Sequence, residues 1–154
     1  MQVHGPIQAL IAKGYATIFY PAVVYERVEN QDAQNHFNCP IVQSYPDVIK
    51  NNVDEIRDGD VDYRDPYLNL ADHESTTNNL FECFKDFGVT KKEVSAALEA
   101  GYQELEHFKQ MVQNRGEDTL RMLKQSGERG IVLAGRPYHL DPEINHGIAQ
   151  IMTT

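Results

Sequence analysis

The 154 residues fit the length of one domain and suffice to bury a core, and 41% hydrophobic with 24% charged residues is globular composition that argues against disorder. A net charge of -9, with 14 basic against 23 acidic residues and no basic run, excludes nucleic acid as a partner, because phosphate binding needs clustered Lys and Arg. No apolar run is long enough to cross a bilayer, the first residues lack the pattern of a signal peptide, and the two cysteines are few enough to stay reduced thiols, so a cytoplasmic protein is expected.

In chain order, residues 6–13 read as a helix stopped by Gly14, and Ala16 to Tyr20 as a short apolar strand ended by Pro21. A helix leading straight into a strand suggests a βαβ unit whose first strand lies elsewhere, and the close of the chain soon after its last helix suggests a piece of a longer protein. Pro21 to Pro40 is polar and aperiodic and reads as one long loop, the kind of segment that carries function. Ser44 stands at capping-box spacing from Asp47, ahead of a helical stripe of Val48, Ile49, Val53 and Ile56. Asp60 to Leu68 reads as a short strand with a turn at Pro66. Leu80, Phe81, Phe84 and Phe87 mark a helix closed by Gly88. Thr90 and Glu93 form a capping box for the next helix, whose stripe is Val94, Leu98, Tyr102, Leu105, Phe108 and Val112, with Gly116 as an expected interruption.

The last segment is the richest in chemistry. Ile131 to Ala134 predicts a strand over 131–135, and Asp141-Pro142-Glu143 opens a helix expected over 142–152. The strand would deliver Arg136, Tyr138 and His139 to its carboxyl end, beside a helix N-terminus that favours anions. Arg136 either grips a carboxylate or phosphate or closes the turn through Asp141 or Glu143. His139 and His146 are either acid, base or ligand groups, or hydrogen-bonded structural residues. Asp141 reads as the cap and Glu143 as complementing the helix dipole. Cys39, in His36-Phe-Asn-Cys-Pro, is a metal-ligand candidate with His36 as a second donor, or else an inert thiol. Cys83, between aromatic residues of a helix, reads as core. Nucleotide-binding loops and the familiar hydrolase and zinc motifs are absent, so no nucleotide site is expected.

Two stretches, Ile18-Phe-Tyr-Pro-Ala-Val-Val-Tyr-Glu26 through Asn38-Cys-Pro-Ile-Val42, and Gly130-Ile-Val-Leu-Ala-Gly-Arg-Pro-Tyr-His-Leu-Asp-Pro-Glu-Ile-Asn-His-Gly147, carry a resemblance over nearly the whole chain. The chain resembles an internal portion of the long activase-like proteins related to the activator of 2-hydroxyacyl-CoA dehydratases (CoA-substrate-specific enzyme activases). In these, ATPase modules precede a region similar to the dehydratase and benzoyl-CoA reductase subunits. The resemblance implies a cytoplasmic redox system in which ATP hydrolysis drives electrons from a 4Fe-4S cluster to a dehydratase or reductase subunit. It implies flavodoxin-like α/β domains, with Cys39 as a cluster ligand and Arg136, Tyr138, His139 and His146 lining a ligand pocket. Where the family pattern has a cysteine after Phe-Tyr-Pro, this chain has Ala22, and a cluster takes about four ligands.

The expected fold is therefore α/β and flavodoxin-like, a parallel sheet flanked by helices. It would comprise partial layers of two subdomains, 1–112 and 113–154, joined by a long helical segment. The expected function is an accessory redox or docking domain of an activator-like protein, not a self-contained enzyme. Its partners would be the rest of that chain with its ATPase modules and a dehydratase or reductase subunit. The alternatives are a non-redox module for a CoA-like anionic molecule, with Arg136 and the helix near Pro142 as the anion site, and an interaction scaffold presenting the long helix.

Overall fold

A computed structural model describes residues 4–135, 139 and 141–153. They divide into two units, Met1–Gln103 and Glu104–Thr154. The first unit holds α1 (His4–Ala12), β1 (Thr17–Phe19), β2 (Ala22–Tyr25), α2 (Pro40–Asn52), α3 (Asp54–Arg57), β3 (Asp62–Arg64), β4 (Tyr67–Asn69), α4 (His73–Phe84) and a 3-10 turn over Lys85–Phe87. Helix α5 (Lys91–Ser126) starts in this unit and runs into the second, which also holds α6 (Pro142–Asn145) and α7 (Ile148–Thr153).

The strands pair in parallel, β1 with β3 and β2 with β4, in the registers Ile18 opposite Tyr63 and Val23 opposite Leu68. Parallel neighbours need a crossover, and α2 and α3 supply it. The mixed α/β class with short parallel strand pairs flanked by helices, a partial flavodoxin-like arrangement, is the one expected. Hydrogen bonds run on between the two pairs across Pro21 and Pro66. Tyr20 N–H donates to the Arg64 carbonyl at 2.9 Å and Ala22 N–H to the Pro66 carbonyl at 3.0 Å. Pro66 has no N–H to return, so the ladder breaks there and each strand splits in two.

Apolar periodicity places the core. Ile49 on α2, Val53 between the helices and Ile56 on α3 are buried with Ile7, Ile18 and Val61, with Ile11, Tyr20 and Tyr63 packed at the edge. Val53 is extended (φ -106°, ψ 115°), so the single stripe expected over 48–56 spans two helices with a corner between them. Gly14 and Gly88 end their segments with φ of 80° and 78°, a conformation that costs glycine little.

Several expectations need correction. The loop expected over 21–40 contains β2, and an antiparallel bridge joins Tyr25 to Phe37. Helix α2 begins at Pro40, not beyond Ser44; Ser44 lies within it and its hydroxyl donates to the Ile41 carbonyl at 2.9 Å. A proline at the first helical position is pre-set for helix and is missing only a donor that had no partner there. The Thr90–Glu93 box forms: Thr90 N–H donates to Glu93 Oε2 at 2.7 Å, and Glu93 N–H donates to Thr90 Oγ1 at 3.2 Å. Helix α5 then continues through Gly116 to Ser126, because a lone glycine costs a helix only about 1 kcal/mol.

The apolar stripe of α5 is not core. Val94, Leu98 and Tyr102 are half-buried, but Leu105, Phe108 and Val112 are 39, 53 and 54% exposed. No helix among the described residues is long and apolar enough to cross a membrane.

Residues 131–134 form no strand, and Ile131 and Val132 are 67 and 87% exposed. A strand needs a neighbour for its N–H and C=O groups, and the second unit has no strand among its described residues. The helix expected over 142–152 is two, α6 and α7, separated by His146 and Gly147 with φ of 52° and 75°.

Candidate functional site

The Cys39 loop is held by its own polar side chains. After β2 the chain leaves at Glu26 and returns at His36, where Glu26 N–H donates to the His36 carbonyl at 2.9 Å. Asn38 secures the return: its N–H donates to the Val24 carbonyl at 3.0 Å, and its amide nitrogen donates to the Val23 carbonyl at 3.1 Å and Glu26 Oε1 at 2.7 Å. Gln43 on α2 donates back to the Asn38 carbonyl at 2.6 Å and to the Val24 carbonyl at 3.3 Å. Tyr25 packs edge-on to Phe37 (centroids 4.8 Å apart) and tilted to His36 (5.9 Å). These bonds fix the backbone on both sides of Cys39, which stands at the N-cap of α2 with an exposed thiol and no capping bond of its own.

Cys83 is a different kind of thiol. It sits half-buried on α4, and burial pushes its pKa up, which Arg64 only partly offsets. A thiol held protonated is a poor ligand and nucleophile. Among the described residues no group of three or more His, Cys, Asp or Glu side chains is arranged to hold a metal ion. With two thiols in the chain, one of them kept neutral, the residues present do not make the ligand set of an iron–sulfur cluster.

The most connected polar group was not singled out by sequence. Arg64 ends β3, with its side chain only 11% exposed. It holds Asp86 through two bonds of 2.7 and 2.5 Å, holds Asp62 at 2.7 Å, and donates to the Cys83 carbonyl. Its guanidinium lies 4.2 Å from the Phe87 ring centroid and 5.7 Å from that of Phe84, within the range of cation–π attraction. Arg64 thereby ties the sheet to the end of α4, satisfies a terminal helix carbonyl, and holds the Asp86 carboxyl below its ordinary pKa. A groove of about 560 Å³ opens beside it, lined by Asp62, Asp65, Tyr67, Glu82 and Asp86 among others. The arginine is spent on its carboxylates, so the groove's character is acidic and structural.

Beyond the ends of β2 and β4 lies a smaller pocket of about 310 Å³, lined by Arg27, Val28, Leu70, Ala71, His73, Glu99 and Tyr102. Tyr102 closes its floor by donating to the Leu70 carbonyl at 3.0 Å, and the Arg27 guanidinium stacks over the Tyr102 ring at 4.8 Å. The His73 ring is 6.0 Å from that of Tyr102.

Of the residues expected at the 130–148 motif, Arg136 and Tyr138 lie outside the described residues. Asp141 is the cap it was read as, accepting from Glu143 N–H at 2.9 Å and Ile144 N–H at 3.2 Å. His139 is exposed, and a Cβ added to Gly135 would lie 2.6 Å from its Nδ1. His146 is exposed, on the left-handed turn that parts α6 from α7. Cys39 lies in the first unit, and His139 and His146 in the second.

Arg64 and Arg27 escaped the sequence reading because each acquires its setting from residues far along the chain, Asp86 and Tyr102. The one local hint was an arginine at or just past the end of a strand-like run.

No curated protein and no solved structure matches the chain. A family model described as the CoA enzyme activase uncharacterised domain matches residues 1–154, end to end. The chain belongs to the CoA enzyme activase domain family.

Proposed function

We propose that the chain is an accessory docking domain of a larger activase-like protein, cytoplasmic, and that its partner surface is the exposed apolar side of α5. The observation that carries this reading is the run Leu105, Phe108, Met111 and Val112, each 39 to 54% exposed on a continuous helix. Four large apolar side chains at helical spacing form the contiguous stripe that marks an interaction site rather than scattered surface residues. The proposed occupant is the remainder of the activase-like chain, with its ATPase modules; the match to an activase domain family supports the larger chain, and the modules follow from the resemblance alone. The chain itself contributes surface and no reaction.

The redox part of the proposal rests on Cys39, the exposed thiol on a rigid loop end. In an assembled activase it is the one thiolate this chain would bring to a 4Fe-4S cluster, the other ligands coming from outside it. A cluster there would supply one-electron transfer towards a dehydratase or reductase subunit. The reading as a CoA-binding module depends on Arg136 and its turn, and none of the described geometry favours it over docking.

The test is co-purification of the chain with the other segments of an activase-like protein. Wild type is expected to form a stoichiometric complex, and Phe108→Asp with Val112→Asp to weaken it at least about tenfold. A complex indifferent to both substitutions refutes the docking surface, and so does a wild-type chain that self-associates through α5 in sedimentation. In the same complex, reconstituted anaerobically, equal iron retention by wild type and Cys39→Ala removes Cys39 from the ligand set.

A further inference from the structure

We infer that the pocket at the carboxyl ends of β2 and β4 is a binding site for a small monocarboxylate, with Arg27 as the group that grips it. Three independent observations converge on it. The first is place: Arg27 and Val28 follow the end of β2, and Leu70 and Ala71 follow the end of β4, so the pocket sits in the crevice where parallel strands finish. Side chains and loops converge there on ligands in open α/β sheets.

The second is an unmet guanidinium. Arg27 forms no ion pair with any described carboxylate, and its Nη1 is buried without a hydrogen-bond partner. Arg64 shows how this chain treats an arginine that serves structure, with two carboxylates, a carbonyl and two rings around it. Arg27 has the ring and lacks the anion. A guanidinium N–H buried without an acceptor is costly, and an incoming carboxylate relieves that cost through a bidentate fork. Stacking on Tyr102, whose hydroxyl is fixed to the Leu70 carbonyl, holds the guanidinium plane ready for it.

The third is the character of the walls. Val28, Leu70, Ala71 and the Tyr102 ring set apolar surface beside the polar groups of Arg27, His73 and Glu99, a mixed lining, and about 310 Å³ suits a ligand of a few carbons. Glu99 also lines it. Its charge sets a limit on the guest: a dianionic phosphate meets more repulsion than a monoanionic carboxylate with an apolar tail. The guest is thus a short-chain carboxylate, or a molecule presenting one, and not a nucleotide phosphate.

The site owes nothing to α5 beyond Gln103 or to Cys39, so it stands or falls apart from the docking reading. The measurement is an amide NMR titration of the full chain with hexanoate, and separately with inorganic phosphate. Hexanoate is expected to shift residues 27, 28, 70–73 and 99–102 in a saturable way, with phosphate at least about tenfold weaker. Arg27→Gln is expected to weaken hexanoate by about tenfold or more, and Arg27→Lys, which keeps the charge and loses the fork, to recover only part of it. Should Arg27→Gln fail to fold, Ala71→Glu decides the matter, since a carboxylate built into the wall should raise the melting temperature and abolish hexanoate binding. Absent or non-saturable shifts, shifts that survive Arg27→Gln or Ala71→Glu, or phosphate binding as tightly as hexanoate would each overturn the proposal.

Discussion

Ile49→Ala gives the sharpest test of how this chain holds itself together. Ile49 is fully buried on α2, the helix that Cys39 caps, and packs in the cluster with Ile7, Ile18, Val53, Ile56 and Val61. The substitution removes three methylene equivalents, at about 0.8 kcal/mol each by transfer. The cavity left behind, lined by branched side chains that collapse poorly, raises the loss to about 3–4 kcal/mol. A domain of this size has on the order of 5–15 kcal/mol in all, so the variant should fold but unfold at clearly lower urea. With a slope of about 1–1.5 kcal/mol per molar, the midpoint should fall by about 2–4 M, followed by far-ultraviolet circular dichroism. Val112→Ala is the paired control. Its side chain is 54% exposed, and the change should stay within about 0.5 kcal/mol. A loss below about 1 kcal/mol for Ile49→Ala would refute the packing argument. An equal loss for Val112→Ala would mean that the α5 stripe is already covered in the isolated chain, and would remove the basis of the docking proposal.

Two further expectations concern charge and thiols. Hydrogen bonding to Arg64 depresses the Asp86 pKa in the folded chain, so this carboxylate stabilises the fold above its ordinary pKa of about 3.9, and that contribution fades as pH falls from there through the depressed value. Asp86→Asn should therefore be less stable at neutral pH yet lose less on acidification; melting curves at stepped pH that run parallel for the two proteins would refute this. Cys39, exposed, should react with a maleimide like a free thiol, whereas Cys83, half-buried with its pKa raised, should react at least about tenfold more slowly until urea unfolds the chain. Equal rates in the folded protein, read by mass spectrometry, would contradict the burial described.

What the sequence disclosed and what it hid divide along a physical line. Signals confined to one turn of chain were legible: Thr90 with Glu93, Asp141 with its helix, and the i, i+4 spacing of Ile49 and Val53. Features that depend on a distant partner were not. Ala22–Tyr25 shows no alternation to mark it as a strand, because its identity comes from Tyr67–Asn69, on the far side of the crossover. The start of α2 was obscured for a local reason. Cysteine is no usual cap, Pro46 interrupts the pattern, and Ser44 with Asp47 imitates a start that the chain does not use. The apolar run 131–134 shows the converse error, since hydrophobic content alone does not make a strand without a neighbouring ladder. For the candidate site, the loop bearing Cys39 was foreseen, while Arg27 and its aromatic support were not.

Pro21 faces a consequence of its own. Tyr20 and Ala22 donate inward to the β3–β4 side, so by alternation the nitrogen of Pro21 is turned to the outer flank, where it has no hydrogen to offer. Beside β2 that flank is already lined by the returning 36–38 segment, and a strand laid along the β1 part would meet a silent position at Pro21 and could not zip past it in unbroken register. Whatever chain comes to lie there must itself be interrupted at that level. The imino acid thus makes this edge a poor template for stray strands.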